Sequence, residues 1–198
     1  MTEMTDIESR LRSAAWGDPP PFDVAAADEA IDVALTWMDS PIGRLLLVAT
    51  RRGLLRVVFP NEDHDAVLAT IAARVSPCIV EHPVRLDRIR RELDEYFTGQ
   101  RRTFEVELDW TLVGEFGRRV LGACAAVPYG TVTTYARLAT EIGSPRAARA
   151  TGTALGSNPI PIVVPCHRVL RTGGGLGGYA GGLAIKEQLL RLEGVLAL

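Results

Sequence analysis

Three short apolar segments, separated by two glycine-containing turns, constrain the fold of this chain more than any other feature. They cover residues 34–38, 44–50 and 54–59, and the turns end at Gly43 and Gly53. Short runs rich in Leu and Val, joined by such turns, are typical of strands paired antiparallel. The sequence therefore predicts a three-stranded meander near the start of the chain.

Helices are expected after the meander, over residues 65–75 and 84–98. The second has an apolar stripe of Leu86, Ile89, Leu93 and Phe97 at helical spacing. Residues 104–108 alternate between apolar and polar side chains, which predicts one more strand. We therefore predict an α+β fold, with a scaffold domain over residues 36–110. Residues 1–35 are interpreted as an extension, with an alanine-rich stretch at 25–34 that favours a short helix.

Composition excludes several classes of protein. The 198 residues include three cysteines, which make neither a disulfide framework nor a zinc site, and no apolar run of membrane-spanning length. The N-terminus lacks a secretory pattern. We expect a cytoplasmic monomer without a metal ion, a cofactor or a membrane partner.

Charge is distributed unevenly along the chain, although the net charge is only −2. Residues 111–198 carry eight Arg and one Lys against four Glu, while the preceding residues are acidic. A basic segment is compatible with a nucleic-acid surface, although ordinary protein surfaces also differ this much.

Residues 111–198 are predicted to form a second, mostly helical domain. Helices are expected over residues 116–126 and 134–142, and Ser144-Pro145 resembles a capping serine followed by a first-turn proline that opens a third helix over 146–156. Two short helices joined by a tight turn are typical of a helix-turn-helix. The third helix has small side chains and two arginines, which fit either close helix packing or a DNA contact.

A cysteine and a histidine follow an apolar segment at residues 160–165. Pro165 tends to end a strand, so Cys166 is expected at a strand end facing a cleft. A lone cysteine is often only a small buried hydrophobe, but a thiol beside an imidazole can become a nucleophile. The glycine-rich segment 173–182 fits a dinucleotide fingerprint, which we reject because only one helix, at 183–193, follows it.

The pentad Pro165-Cys166-His167-Arg168-Val169 resembles the active-site signature of the O6-alkylguanine-DNA alkyltransferases. The resemblance extends over the second half of the chain, from about residue 116 to 194, and more loosely over the first. Its further blocks are Pro128-Tyr129-Gly130, Tyr135, Ala147-Ala148-Arg149-Ala150, Asn158-Pro159, Tyr179, Gly181-Gly182-Leu183, Lys186 and Leu192-Glu193-Gly194.

The resemblance implies a protein that turns an alkylated guanine out of duplex DNA and takes the alkyl group irreversibly on its own cysteine. It implies Cys166 as the nucleophile, His167 as the base acting through a water, and Glu193 as the group that orients the imidazole. It further implies that Tyr135 hydrogen-bonds the purine and that Asn158 ties the recognition helix to the active-site loop. Lys186 is expected nearby.

The same resemblance implies a DNA surface and a substrate pocket. Arg149 is expected to enter the base stack from a helix in the minor groove. The flanking DNA contacts are expected from Ala147, Ala148, Thr151 and Gly152, with Tyr135 beside them. The pocket is expected to be formed by Val169, Tyr179, Ala180, Gly181 and Pro161. The first half is expected to be ribonuclease H-like.

Three departures from the family pattern stand out. Gly117 and Leu121 replace a usual Gln and Trp, Ala180 replaces a serine of some members, and the zinc-binding residues of some members are missing. Three other functions fit parts of the sequence. A lesion-binding module without transfer is opposed by Cys166, and a Cys-His-Glu hydrolase leaves the helix-turn-helix unexplained. A transcriptional regulator is the third, but no second methyl-accepting cysteine motif is visible.

Overall fold

The computed structural model describes residues 31–196, and from Asp32 onward the chain forms one compact unit. The first six positions of the helix expected over 25–34 therefore lie outside the described residues. Its last positions, Val33 and Ala34, belong instead to the first strand. The strand begins two residues before the end of the segment that was interpreted as an extension.

The predicted meander is confirmed. Strands β1 (Val33–Met38), β2 (Leu45–Thr50) and β3 (Gly53–Val58) pair antiparallel in sequence order. A short strand that sequence reasoning missed, β4 (Ile79–Glu81), pairs parallel with β1, so the sheet order is β3-β2-β1-β4. Three residues are too few for a periodic signal.

The sheet carries a closely packed apolar core. Every residue of β2 is buried, which explains why its sequence is a continuous apolar run rather than an alternating one. Leu46 and Val48 of β2 belong to a cluster of fully buried side chains that also includes Ile71 of helix α1 (His64–Arg74). The sheet thus buries both faces of its central strand.

Two expectations for the following segment need correction. The helix predicted over 84–98 begins instead as a 3-10 turn, Pro83–Leu86, and continues as α2 (Asp87–Phe97). The strand predicted over 104–108 is wrong: only Leu108 bridges to β3. The segment pairs with β3 only around Leu54, whose amide donates to the Glu107 carbonyl at 2.8 Å and whose carbonyl accepts the Asp109 amide at 2.9 Å. It crosses so close to Gly53 that an added Cβ there would lie 2.3 Å from the Glu107 carbonyl oxygen.

The second half contains the predicted helix-turn-helix. Helices α3 (Glu115–Ala125), α4 (Tyr135–Glu141) and α5 (Ala148–Gly156) pack against one another. Ser144 and Pro145 do not open α5 as predicted. The Ser144 carbonyl accepts the Ala147 amide at 2.8 Å and closes a turn, so α5 begins only at Ala148.

The segment before Cys166 was predicted to be a strand and is a buried loop instead. Its apolar residues Ile160, Ile162 and Val164 are fully buried, and Ile162 has a φ of 74°, which no strand permits. Cys166–Arg168 forms a 3-10 turn rather than a strand end. Prolines at 159 and 161 remove the amide donors that a strand would need.

A two-stranded parallel sheet joins the helix-turn-helix to the cysteine segment. Strand β5 (Thr133–Thr134) leads directly into α4, and β6 (Val169–Leu170) follows the 3-10 turn. The last helix, α6 (Leu183–Leu192), packs against that turn. Within the described residues, no helix has the length and apolarity to cross a membrane. The α+β expectation is confirmed.

Candidate active site

Cys166 lies at a cavity of about 690 Å³ and is 7% exposed. The cavity is bounded by α5, by the start of α4 and by the glycine-rich loop that follows β6. These three elements meet because the β5–β6 pairing brings the beginning of α4 beside the cysteine turn. The thiol therefore faces a space large enough for a purine base.

Asn158 fixes the loop that leads to the cysteine. Its Nδ2 donates to the Val164 carbonyl at 2.8 Å and contacts Cys166 Sγ at 3.2 Å, while its Oδ1 accepts the Ile160 amide at 3.0 Å. These bonds support the left-handed Ile162, a conformation that costs energy for a β-branched residue. As predicted from the resemblance, Asn158 connects the end of α5 to the cysteine loop.

The Cys166 thiol is not ionised in advance. Burial raises its pKa above the ordinary value, and the Asn158 contact and the charge of Lys186 only partly offset this. A nucleophilic thiolate therefore needs a base that removes its proton.

His167 provides a buried base next to the thiol. Its Nε2 lies 2.8 Å from Glu193 Oε1, while its Nδ1 is buried without a hydrogen-bond partner among the described residues. Burial lowers the pKa of the imidazole, more than Glu193 raises it, so the ring is neutral near pH 7. A proton on Nε2 that is donated to Glu193 leaves Nδ1 as an acceptor.

Glu193 is the centre of the site's hydrogen bonds. Its carboxylate accepts from Tyr96 Oη at 2.7 Å, from His167 Nε2 at 2.8 Å, from Arg168 Nη2 and Nε both at 2.9 Å, and from the Gly130 amide at 3.2 Å. Burial raises the pKa of this carboxyl, but the bonds from His167 and Arg168 outweigh burial and lower it to about 2. The carboxylate is therefore ionised, and both of its oxygens accept hydrogen bonds.

Arg168 and Tyr96 are site residues that sequence reasoning did not assign a role. Arg168 is 5% exposed, forms a two-pronged ion pair with Glu193, and donates from Nη1 to the Val127 carbonyl at 2.6 Å. Tyr96 reaches the same carboxylate from α2. Arg168 lies within the Pro165–Val169 signature, which marked its position but not its partner. Tyr96 gave no signal, because only the folded chain brings position 96 to position 193.

Two residues that would ordinarily be read as surface charges are buried. Lys186 on α6 is 0% exposed, and Glu193 is 5% exposed. The Lys186 ammonium donates to the Val169 carbonyl at 2.7 Å and to the Leu176 carbonyl. Burial lowers its pKa to about 8. Lys186 therefore holds the glycine-rich loop against β6 and adds positive charge near the thiol.

Tyr135 lines the same cavity as the cysteine. Burial raises the pKa of its phenol, so the hydroxyl keeps its proton and can donate it. Gly177, with a φ of 72°, makes room for it: a Cβ at that position would lie 2.5 Å from the Tyr135 hydroxyl. The glycine-rich loop is thus shaped around this tyrosine.

Helix α5 carries most of the residues that are expected to contact DNA. Ala148, Arg149 and Gly152 line the cavity, and Ala147 caps the helix just before them. The expectation that Thr151 contacts DNA needs correction, because its side chain is fully buried. Thr151 and Leu155 lie four residues apart and face the interior together.

The expected pocket residues divide into two groups. Tyr179 and Ala180 line the cavity. Among the described residues, the other three expected there do not line it: Val169, Gly181 and Pro161. Pro161 was expected there but is buried within its own loop, where it bridges to Val164. Gly181 lies against Phe59, the residue that follows β3: a Cβ at position 181 would be 3.1 Å from the Phe59 ring.

The described residues contain no group of three or more His, Cys, Asp or Glu side chains placed to hold a metal ion.

Two family profiles match the chain in succession. The profile described as "6-O-methylguanine DNA methyltransferase, ribonuclease-like domain" matches residues 33–110. The profile described as "6-O-methylguanine DNA methyltransferase, DNA binding domain" matches residues 115–195. The second contains every residue of the cavity and most of the network around Glu193.

Individual proteins agree with these profiles. A methylated-DNA–protein-cysteine methyltransferase of Methanosarcina acetivorans is 41% identical over 79% of this chain and 95% of its own length. Its namesake from Mycolicibacterium paratuberculosis is 41% identical over 79% of this chain and 89% of its own.

Solved structures agree as well. The crystal structure of Mycobacterium tuberculosis O6-methylguanine methyltransferase superposes with a TM-score of 0.71 at 36% identity, covering 81% of this chain and 92% of that one. A structure of M. tuberculosis OGT in complex with DNA gives a TM-score of 0.68 at 36% identity, covering 81% and 91%. The sequence identities and the common fold show that this chain belongs to the 6-O-methylguanine DNA methyltransferase family.

Proposed function

We propose that this protein repairs alkylated duplex DNA by moving the alkyl group from O6 of guanine to Cys166, once per molecule. The observation that carries the proposal is the placement of Cys166 and Tyr135 at one cavity, with the His167–Glu193 pair adjoining the cysteine in the chain and outside the cavity lining. A base inside a duplex reaches such a thiol only by leaving the stack.

Proton transfer starts the reaction. The Cys166 thiol passes its proton through a water to the unpartnered Nδ1 of His167, and Glu193 stabilises the resulting imidazolium through Nε2. The transfer creates no net charge in the buried site, because the thiolate and the imidazolium form together. Arg168 already balances the Glu193 carboxylate.

The thiolate then attacks the alkyl carbon. A sulfur–carbon bond forms as the carbon–O6 bond breaks, and the electron pair of the broken bond moves into the purine. Tyr135 donates a hydrogen bond and then its proton to the purine ring, which makes guanine a better leaving group. The phenolate regains a proton from solvent, and the His167 imidazolium releases to solvent the proton that it took from the thiol. The thioether has no labile bond, so the protein does not turn over.

DNA contact is proposed to occur through α5 in the minor groove. Arg149 is exposed at the rim of the cavity and is placed to fill the gap that the extruded base leaves. Ala148 and Gly152 let the helix backbone approach the duplex closely. Monomeric action and a cytoplasmic location remain predictions from the sequence.

Mass spectrometry tests this function. Protein mixed with a duplex that carries one O6-methylguanine is expected to gain one methyl group per molecule, on the peptide that contains Cys166. Cys124→Ala is the matched control, because Cys124 is the other buried cysteine and does not line the cavity. Transfer by the Cys124→Ala protein and none by Cys166→Ala support the proposal. Binding of the duplex without any mass gain by the unaltered protein would instead identify a lesion sensor.

A further inference from the structure

Arg171 is a cavity residue that the reaction described above does not use. It is exposed and lines the same cavity as Cys166 and Tyr135. Its backbone closes a turn of the glycine-rich loop: the Arg171 amide donates to Gly175 at 2.7 Å, and its carbonyl accepts from Gly174 at 3.0 Å. The turn is therefore made by the backbone, and the side chain is available for another role.

The side chain is held at the rim of the cavity but is not paired there. Its stem lies along Gly175, where an added Cβ would be 3.7 Å from the arginine Cδ. Within the described part of the chain, no carboxylate pairs with the Arg171 guanidinium, in contrast to Arg168 and Arg137, which each have a glutamate. Arg171 is also close enough to Tyr135 for its charge to lower the pKa of that phenol against the stronger effect of burial.

An unpaired guanidinium at the mouth of a cavity fits an anion that arrives with the substrate. A nucleotide that enters the cavity base-first keeps its phosphates outside, at the rim. Guanidinium groups bind phosphate through two parallel N–H donors, and such contacts hold a nucleic acid in register. Arg149, on α5, also lines this cavity.

We propose that Arg171 binds a phosphate of the extruded nucleotide and thereby holds the damaged base in the cavity. The inference rests on the proposed function and adds to it a specific binding residue on the glycine-rich loop. The alternative is that Arg171 acts on Tyr135 and assists the chemical step itself. The two roles predict different outcomes, because one changes DNA binding and the other changes the rate after binding.

The experiment measures the salt dependence of duplex binding and the transfer rate separately. Binding is measured in Cys166→Ala protein, so that the O6-methylguanine duplex persists, and single-turnover transfer is measured at saturating duplex with Cys166 present. Arg171→Ala is compared with Arg171→Lys, and with Arg91→Ala, which removes an exposed arginine of α2 away from the cavity.

We expect Arg171→Ala to weaken binding about tenfold near 0.1 M salt and to lower the slope of log affinity against log salt by about 1. Arg171→Lys is expected to recover the slope, because it keeps the charge. Arg91→Ala is expected to leave both unchanged. The transfer rate at saturation is expected to stay within about twofold of that of the unaltered protein.

Two results would overturn the inference. An unchanged salt slope in Arg171→Ala means that no phosphate contact was lost. A slower transfer at saturation with an unchanged slope assigns Arg171 to Tyr135 instead. Absence of methyl transfer by the unaltered protein would contradict the proposed function rather than this inference. Thermal unfolding of each variant confirms that the loop still folds.

Discussion

Strand β2 and the surroundings of Glu193 are both buried, but different forces stabilise them. The strand contributes six buried residues, and those in its core cluster contact other apolar side chains. Glu193 is buried with His167, Arg168 and Tyr96, and each of them has a directed hydrogen bond to it. Burial of apolar area is non-directional, whereas a buried carboxylate is stable only while its donors are present.

The difference teaches where this protein tolerates change. A smaller side chain in the sheet leaves a cavity whose cost depends on how far the neighbours relax. Removal of one charge at Glu193 leaves Arg168 buried without its counter-charge, and the same change disorients the base that activates Cys166. One carboxylate thus links the stability of the second half to its chemistry.

Glu193→Gln is expected to give the largest loss of stability. We expect a decrease of about 3–5 kcal/mol in the free energy of unfolding, because a buried ion pair loses one partner. Urea unfolding at pH 7 measures it. The matched control is Glu141→Gln, whose carboxylate also pairs with an arginine, Arg137, but in an i, i+4 pair at the surface. Equal effects of the two substitutions would contradict the role given to Glu193.

The pH dependence of that loss sharpens the comparison. The pKa of Glu193 is lowered to about 2 in the folded protein, below the ordinary 4.5. Its contribution is therefore complete above pH 4.5 and is lost as the pH falls towards 2. The difference in stability between the unaltered protein and Glu193→Gln should shrink over this range. A difference that stays constant would show that the network does not depend on the charge of Glu193.

Leu46→Ala tests the other region. Leu46 is fully buried in the sheet's core cluster, so we expect a loss of about 2–5 kcal/mol. No titrating group contributes to this loss, so it should be the same at pH 4 and pH 7. The transfer rate of the folded variant should match that of the unaltered protein. A pH-dependent loss here would remove the distinction between the two regions.

The sheet could be predicted from the sequence more completely than the region around Cys166 and Glu193. Strands β1 to β3 could be predicted from the turns at Gly43 and Gly53 and from the apolar runs that these turns join. Local turn chemistry determines the turns, and burial determines the apolar runs. The loop before Cys166 was predicted wrongly as a strand. Its β-branched residues favour one, but tertiary packing and the Asn158 bonds force Ile162 into a left-handed conformation.

The site itself was predictable only in part. Resemblance to the family gave Cys166, His167 and Glu193 from their motifs, whereas position 96 carries no local sign that its hydroxyl reaches a carboxylate 97 residues away. Thr151 was misplaced because a motif block does not show which side of a helix is buried. Helical periodicity within α5, applied residue by residue, would have separated it from Arg149.

Arg137→Ala is expected to have the smallest effect. Its ion pair with Glu141 joins side chains that are 75% and 46% exposed, so solvent screens it. We expect a change in stability of no more than about 0.5 kcal/mol, measured by thermal unfolding at low and high salt. A larger change in stability that does not depend on salt would show that solvent does not screen the Arg137–Glu141 ion pair.

The most direct test of the account is the rate of single-turnover methyl transfer as a function of pH, at saturating O6-methylguanine duplex. Burial raises the pKa of the Cys166 thiol and lowers that of His167 below its ordinary 6.5. The neutral imidazole is therefore the base from pH 7 upward. The account predicts a rate that is constant between pH 7 and 9 and that falls only once the pH drops below the lowered pKa of His167, where the imidazole gains a proton. A rate that rises about tenfold per pH unit from 7 to 9 would contradict it, because the thiol would then ionise into solvent without help from His167.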